Sequence, residues 1–149
     1  MGMYDRILVP TDGSAGASVA LEEALGMAER FDATVHSLYV VDVTASGGET
    51  GAAELLDSFQ EIGENTTRAA LDRAENAGVD ATADVVHGTP HQTILEYVDD
   101  NDIDLIVMGT HGRTGLERYL LGSVTEKVVR TADVPVLTVR ESENGMESE

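Results

Sequence analysis

The chain has 149 residues, 28 acidic against 9 basic, for a formal charge of −19, and it has no cysteine. A domain of that length buries roughly 68–70% of its unfolded surface and needs no staple, and the missing thiols exclude both a disulfide framework and a thiolate metal centre. The charge opposes binding to DNA, RNA or anionic lipid; no apolar run approaches about 18 residues, and the start MGMYDRILVP lacks the layout of a secretion signal. A cytoplasmic protein with no nucleic-acid or membrane partner is expected. So large an excess of acid also matches proteins adapted to concentrated salt, which screens repulsion among carboxylates.

Along the chain, RILVP (Arg6 to Pro10) is a short apolar run closed by turn residues and reads as a buried strand. The loop TDGSAGAS leads into a helix whose Ala17, Ala20, Leu21, Ala24, Leu25 and Ala28 recur at helical spacing. TVHSLYVV (Thr34 to Val41), β-branched and aromatic, is a second strand. After the loop TASGGETG, a long helix presents Leu55, Leu56, Phe59, Ile62, Ala69, Ala70 and Ala74 on one broad face, with Gly78 as its stop. DATADVV (Asp80 to Val86) alternates as a third strand. Thr89, Pro90 and Gln92 then predict a helix start with a capping box, and Ile94, Leu95 and Val98 its buried stripe.

DLIVMG (Asp104 to Gly109) is the most apolar strand and belongs inside the sheet. The last helix starts near Ser123, with Glu126 placed to complete a second capping box and Val124, Val128 and Val129 facing inward. VPVLTV (Val134 to Val139) is a fifth strand, and ESENGMESE is a polar tail with nothing to bury. Strand–helix alternation of this kind predicts an α/β fold: one parallel doubly wound sheet with helices on both faces, a single domain over 1–140 and a disordered acidic tail over 141–149. Ligands bind such sheets beyond the carboxyl ends of the strands, where strand order reverses. If the first and fourth strands are neighbours, the loops PTDGS and GTHGRTG line one crevice.

The second of those loops carries the chemistry. Glycines at 109, 112, 115 and 122 allow close backbone approach to a ligand, and the helix start at Ser123 adds unpaired N–H groups and a positive dipole end. Residues 109–140 hold five of the nine bases (Arg113, Arg118, Lys127, Arg130, Arg140) against three acids (Glu117, Glu126, Asp133). That local excess suits a phosphate. The bland alternative is a glycine-rich turn before an ordinary helix cap. There is no Gly-Lys-Ser/Thr of a P-loop, and TDGSAG after the first strand is not a dinucleotide fingerprint.

Gly109-x-x-Gly112, nine residues, then Gly122-Ser123 resembles the phosphate motif of the nucleotide-binding universal stress proteins. PTDGS, GTP and ADVPVLTVR are similar to that family too, so the resemblance covers about residues 3 to 140. It implies a flavodoxin-like strand order 3-2-1-4-5 and bound ATP, with or without Mg or Mn. It places Pro10, Thr11 and Asp12 near base and ribose and the Val40 backbone against adenine. Gly109, Thr110, His111, Gly112, Arg113, Thr114 and Gly115 would wrap the phosphates, and Gly122, Ser123, Val124 and Thr125 would complete the cradle. It also implies a homodimer paired through the fifth strand (Val134, Val136, Leu137, Val139).

Simpler roles stand beside these. Asp12 can cap the turn before the first helix, His111 can sit exposed in its loop, and His36 reads as a packed or surface strand histidine rather than a ligand. His87 and His91 straddle a helix start and make a poor metal pair. No serine lies in a Gly-x-Ser-x-Gly elbow, so no catalytic residue is assigned. An ATP-binding regulatory protein is the reading favoured, with slow ATP hydrolysis at most. A nucleotide hydrolase or nucleotidyl-transferring enzyme on the same sheet is the alternative, but no Walker aspartate or lysine serves it. Flavin binding is disfavoured because two Phe, four Tyr and no Trp leave little to stack on an isoalloxazine.

Overall fold

Nine elements alternate strictly along the residues that the computed structural model describes, 3–43, 52–110 and 121–141. They are β1 (Arg6–Thr11), α1 (Ala15–Phe31), β2 (Thr34–Asp42), α2 (Ala52–Ala77), β3 (Ala81–Gly88), α3 (Pro90–Asp100), β4 (Leu105–Gly109), α4 (Ser123–Thr131) and β5 (Val136–Val139). The strands form one all-parallel sheet in the order β3-β2-β1-β4-β5. The predicted order 3-2-1-4-5 is therefore the observed one. β1 holds the middle place, and β4, buried at all five positions, lies beside it. No described helix is long and apolar enough to cross a membrane.

Period-two alternation sends neighbouring side chains to opposite faces. Ile7, Val9, Val35, Leu105 and Val107 meet α1 and α2 on one face. Leu8, Leu38, Ile106 and Met108 meet α3 and α4 on the other. Helix α1 closes on its face through Ala20, Ala24 and Ala28, all at most 2% exposed, so the six apolar positions predicted for it are the buried ones.

Several local expectations are corrected. In α2 the inward stripe is Gly63, Thr67, Ala70 and Ala74, one helical turn apart, whereas Leu55 (43% exposed) and Ala69 face outward. The broad apolar face was too broad because Gly63 and Thr67 do not look apolar in sequence. Thr67 earns its buried place by donating its hydroxyl to the Gly63 carbonyl. Gly78 does end α2, with φ +74 in the left-handed region that only glycine occupies without strain.

Neither capping box forms. Thr89 is the N-cap of α3 and Pro90 follows it, but the Thr89 hydroxyl makes no cap bond and Gln92 is exposed. In α4 the N-cap is Gly122, so Ser123 is the first helical residue and Glu126 lies one residue too deep to reach back; Glu126 pairs instead with Arg130. Val128 is fully buried, Val124 half-buried and Val129 44% exposed, with Thr125 rather than Val129 on the inward side. In α3, Tyr97 and Thr93 are buried and Leu95 is only half-buried. The fifth strand is shorter than VPVLTV, since Val134 precedes it.

Tyr97 anchors a polar cluster between β2, β3 and α3. Its hydroxyl donates to Asp84 Oδ2 at 3.0 Å and lies 2.9 Å from His36 Nδ1, while Thr82 Oγ1 is 3.2 Å from the same nitrogen. With the Tyr97 proton committed to Asp84, the Nδ1 hydrogen of His36 serves the tyrosine oxygen. Burial, followed by its bond to Asp84, raises the Tyr97 pKa to about 12, so that hydroxyl stays protonated. His36 is packed rather than at the surface, and burial first, then Arg6, lowers its pKa below 6.5, against an opposing pull from Asp84. Above pH 6.5 both folded and unfolded chains hold this ring neutral. Below it the unfolded chain takes up a proton that the folded one resists, so stability is lost as pH falls from 6.5 through the lowered value. Melting His36→Gln beside the parent from pH 7.5 to 5 will show a shallower decline for the variant; parallel curves would remove His36 from the pH response.

Candidate functional site

Strand order reverses between β1 and β4: the chain winds from β1 outward through β2 to β3, then returns to β4 and β5 on the other side. In doubly wound sheets the strand-order reversal is where the connections leaving the two strands diverge and where ligands bind. The connection leaving β1 is a tight turn made by its own side chains. Thr11, the last residue of β1, accepts from the Gly13 N–H at 3.1 Å, and Asp12 Oδ1 accepts from the Ser14 N–H at 2.9 Å. Gly13 takes φ +81, and Ser14 caps α1 by accepting from the Ala17 N–H at 3.2 Å. The simple role considered for Asp12, bracing this turn, is therefore realised in one of its oxygens, and α1 leaves the site with a capped start.

Pro10 is buried in β1 opposite Leu38, and Thr11 lies opposite Tyr39, where the β1 pairing ends. β2 continues to Asp42, paired with β3 as far as Gly88. Val40 is thus the first residue of an overhang beyond β1, half-buried, its side chain packed on the α3 side. On the other wall Gly109 ends β4 opposite Val139. A Cβ on Gly109 would stand 3.0 Å from both the carbonyl carbon and the oxygen of Gly16 and 3.4 Å from the Ala17 nitrogen. Only a glycine lets β4 finish this close under the first turn of α1.

Thr110 follows, its N–H donating to the Val139 carbonyl at 3.2 Å, and its carbonyl accepts from the Gly122 N–H at 2.7 Å. Gly122 caps α4 with extended backbone (φ −65, ψ 161), and Glu126 makes the first helical bond, to the Gly122 carbonyl. Ser123 is exposed, Val124 half-buried, and Thr125 buried with its hydroxyl donated to the Gly109 carbonyl at 2.9 Å. The N-cap, Gly122, has no side chain with which to cap α4. Its first three amides, those of Ser123, Val124 and Thr125, have no acceptor among the described residues, and the positive end of the helix dipole lies with them.

Of the predicted site, then, Pro10, Thr11, Asp12, Gly109, Thr110, Gly122, Ser123, Val124 and Thr125 stand at the carboxyl end of the sheet around the β1–β4 reversal, with Val40 one strand further along. His111, Gly112, Arg113, Thr114 and Gly115 lie outside the described residues. Two features escaped the sequence: the Gly109–Gly16 contact, signalled only by the small residues of SAGA, and the Thr125 bond to Gly109. No cluster of three or more His, Asp or Glu side chains suited to a metal ion occurs among the described residues.

A family model described as the Universal stress protein family matches residues 3–140. The chain belongs to that family. Universal stress protein MJ0531 of Methanocaldococcus jannaschii is 41% identical over 141 residues, which span 93% of this chain and 83% of the relative. Hypothetical protein MJ0577, known as a structure-based assignment of biochemical function, superposes with a TM-score of 0.83 at 34% identity, covering 93% of this chain and 96% of that one. A universal stress protein solved in complex with cAMP has a TM-score of 0.68 at 29% identity, with 93% and 98% covered. The five-stranded parallel sheet in this order is the universal stress protein fold.

The Gly109–Gly16 approach makes a sharp demand. Gly109→Ala must push a helix backbone aside by a few tenths of an ångström, an overpacking that typically costs about 1–3 kcal/mol. Urea unfolding will show a lowered midpoint with an unchanged slope; an unchanged midpoint would mean that α1 yields freely.

Proposed function

We propose that this universal stress protein binds ATP in the β1–β4 crevice and acts as a homodimeric regulatory protein whose nucleotide occupancy reports energy or stress state. The observation that carries the reading is the uncapped start of α4. Among the described residues the first three amides of α4 have no acceptor and share the positive end of its dipole, whereas at the start of α1 the Ser14 side chain caps the Ala17 N–H. The cAMP complex of a relative supports an adenine nucleotide as the ligand class. In this reading Pro10, Thr11, Asp12 and the Val40 backbone receive the base and ribose. The phosphates lie against Ser123, Val124 and the loop from Gly109 that carries His111, Gly112, Arg113, Thr114 and Gly115. Mg or Mn, where it accompanies ATP, rides on the phosphate oxygens. The protein acts in the cytoplasm, and its carboxylate excess is an adaptation to concentrated salt.

Turnover is slow at most, because the sequence has no P-loop lysine and no Walker aspartate to hold a metal and orient a water. Protein purified in high salt and then denatured will release intact ATP, identified by mass. Release of FMN, or failure to take up ATP at all, would overturn the reading, and ADP and phosphate accumulating with time would turn it toward an enzyme.

The proposed dimer pairs β5 with its copy. β5 ends the sheet, is apolar at three of its four positions, and leaves Leu137 37% exposed. An edge of that kind invites a second chain. Val136→Lys puts a charge into the strand and will give a monomer by light scattering, whereas the parent sizes as a dimer; a variant that stays dimeric would move the interface elsewhere.

A further inference from the structure

We propose that the Thr125 side chain is a positioning group for the phosphate end of the crevice, acting through the Gly109 carbonyl rather than by touching the ligand. The inference rests on the nucleotide-binding reading and changes the role of one residue within it. Thr125 is the third residue of α4, 5% exposed, and its hydroxyl proton is spent on Gly109 O at 2.9 Å. A hydroxyl has one proton to give, so this one is not offered to a phosphate. One turn earlier the Gly122 N–H is spent in the same way, on Thr110 O at 2.7 Å. The first turn of α4 and the end of β4 are therefore tied by two bonds made entirely within the protein.

β4 is itself held on two further sides at that point. Thr110 extends the pairing with β5 by donating to Val139 O at 3.2 Å. Gly109 abuts the Gly16 carbonyl so closely that no Cβ fits comfortably. Gly109 O is thus a fixed post, and Thr125 hangs the start of α4 from it. What this arrangement positions is the set of donors that remain: the N–H groups of Ser123, Val124 and Thr125, and the exposed Ser123 hydroxyl. Amides held before the ligand arrives need not be ordered by it, which is where preorganised sites gain affinity. Taking the hydroxyl away leaves the Gly109 carbonyl without that donor and frees the helix start to shift.

Thr125→Val keeps the shape and removes the donor; Thr125→Ser keeps the donor. ATP and adenosine binding are measured by calorimetry for all three proteins, and amide exchange at Gly122 is followed without nucleotide. The expected result is ATP affinity weaker by about tenfold in Thr125→Val, in line with one lost hydrogen bond. Adenosine, which has no phosphate, binds all three proteins alike, and serine restores ATP. Gly122 exchanges faster in the valine variant only. Undiminished ATP affinity in Thr125→Val would overturn the proposal, as would an equal loss of ATP and adenosine. If the parent binds neither compound, it is the nucleotide reading that fails, and the tie is then judged on Gly122 exchange alone: unchanged exchange in Thr125→Val overturns it.

Discussion

At the carboxyl end of β4 two backbones touch. Gly109 and Gly16 meet with no side chain between them, and the first turn of α1 comes down onto the strand end. Interiors pack at near-crystalline density, so such a contact fixes both partners. Everything at the site is referred to it. The turn through Thr11, Asp12, Gly13 and Ser14 has to deliver the chain from β1 into that helix in four residues, and does so with side-chain bonds and one positive φ. On the opposite face, Thr125 takes its bearing from the carbonyl of the same glycine. One contact thereby fixes the end of β4 against the start of α1.

The division of polar groups at this end of the sheet follows from that geometry. Donors needed to build the walls are used up: Gly13 and Ser14 on one loop, Gly122 and the Thr125 hydroxyl on the other. Among the described residues, the amides of Ser123, Val124 and Thr125 at the start of α4 make no bond within the protein. In the proposed nucleotide-binding role an acidic protein benefits from such an arrangement, because backbone dipoles concentrate positive potential locally without adding side-chain charge. The far end of the sheet does the reverse. There His36, Tyr97, Thr82 and Asp84 satisfy one another in a cluster that faces α3 rather than the crevice.

Most of the fold was legible in the sequence, and for a physical reason. Parallel strands buried on both faces read as plain apolar runs, and RILVP and DLIVMG could hardly be anything else. The period of α1 named its buried residues apart from Gly16. Legibility failed where packing departs from hydrophobicity. Gly63 and Thr67 line α2 because small or self-satisfied side chains fit there, so a search for apolar residues selected Leu55 and Ala69 instead. The capping boxes were misread because the pattern is local while the register of a helix start is not. Gly122, fixed by its bond to Thr110, took the cap position and moved Ser123 and Glu126 one place inward. The site was legible as loops and glycines, but which donors are already spent could be learned only from the folded chain. Thr125 looked like another hydroxyl for the ligand until its partner was visible.

The two rims of the sheet are built unlike each other. β3 is eight residues long, yet it carries Asp84 at mid-length, anchored by Tyr97 and exposed, and at its end His87, bound to Gln60 of α2. A carboxylate in that position discourages a foreign strand from laying itself alongside. β5 has no charged residue in its four. A ribbon with adhesive on one border only cannot grow into a filament: joining two such borders consumes both. In the proposed pairing of β5 with its copy, the asymmetry of the outermost strands therefore stops self-association at two chains.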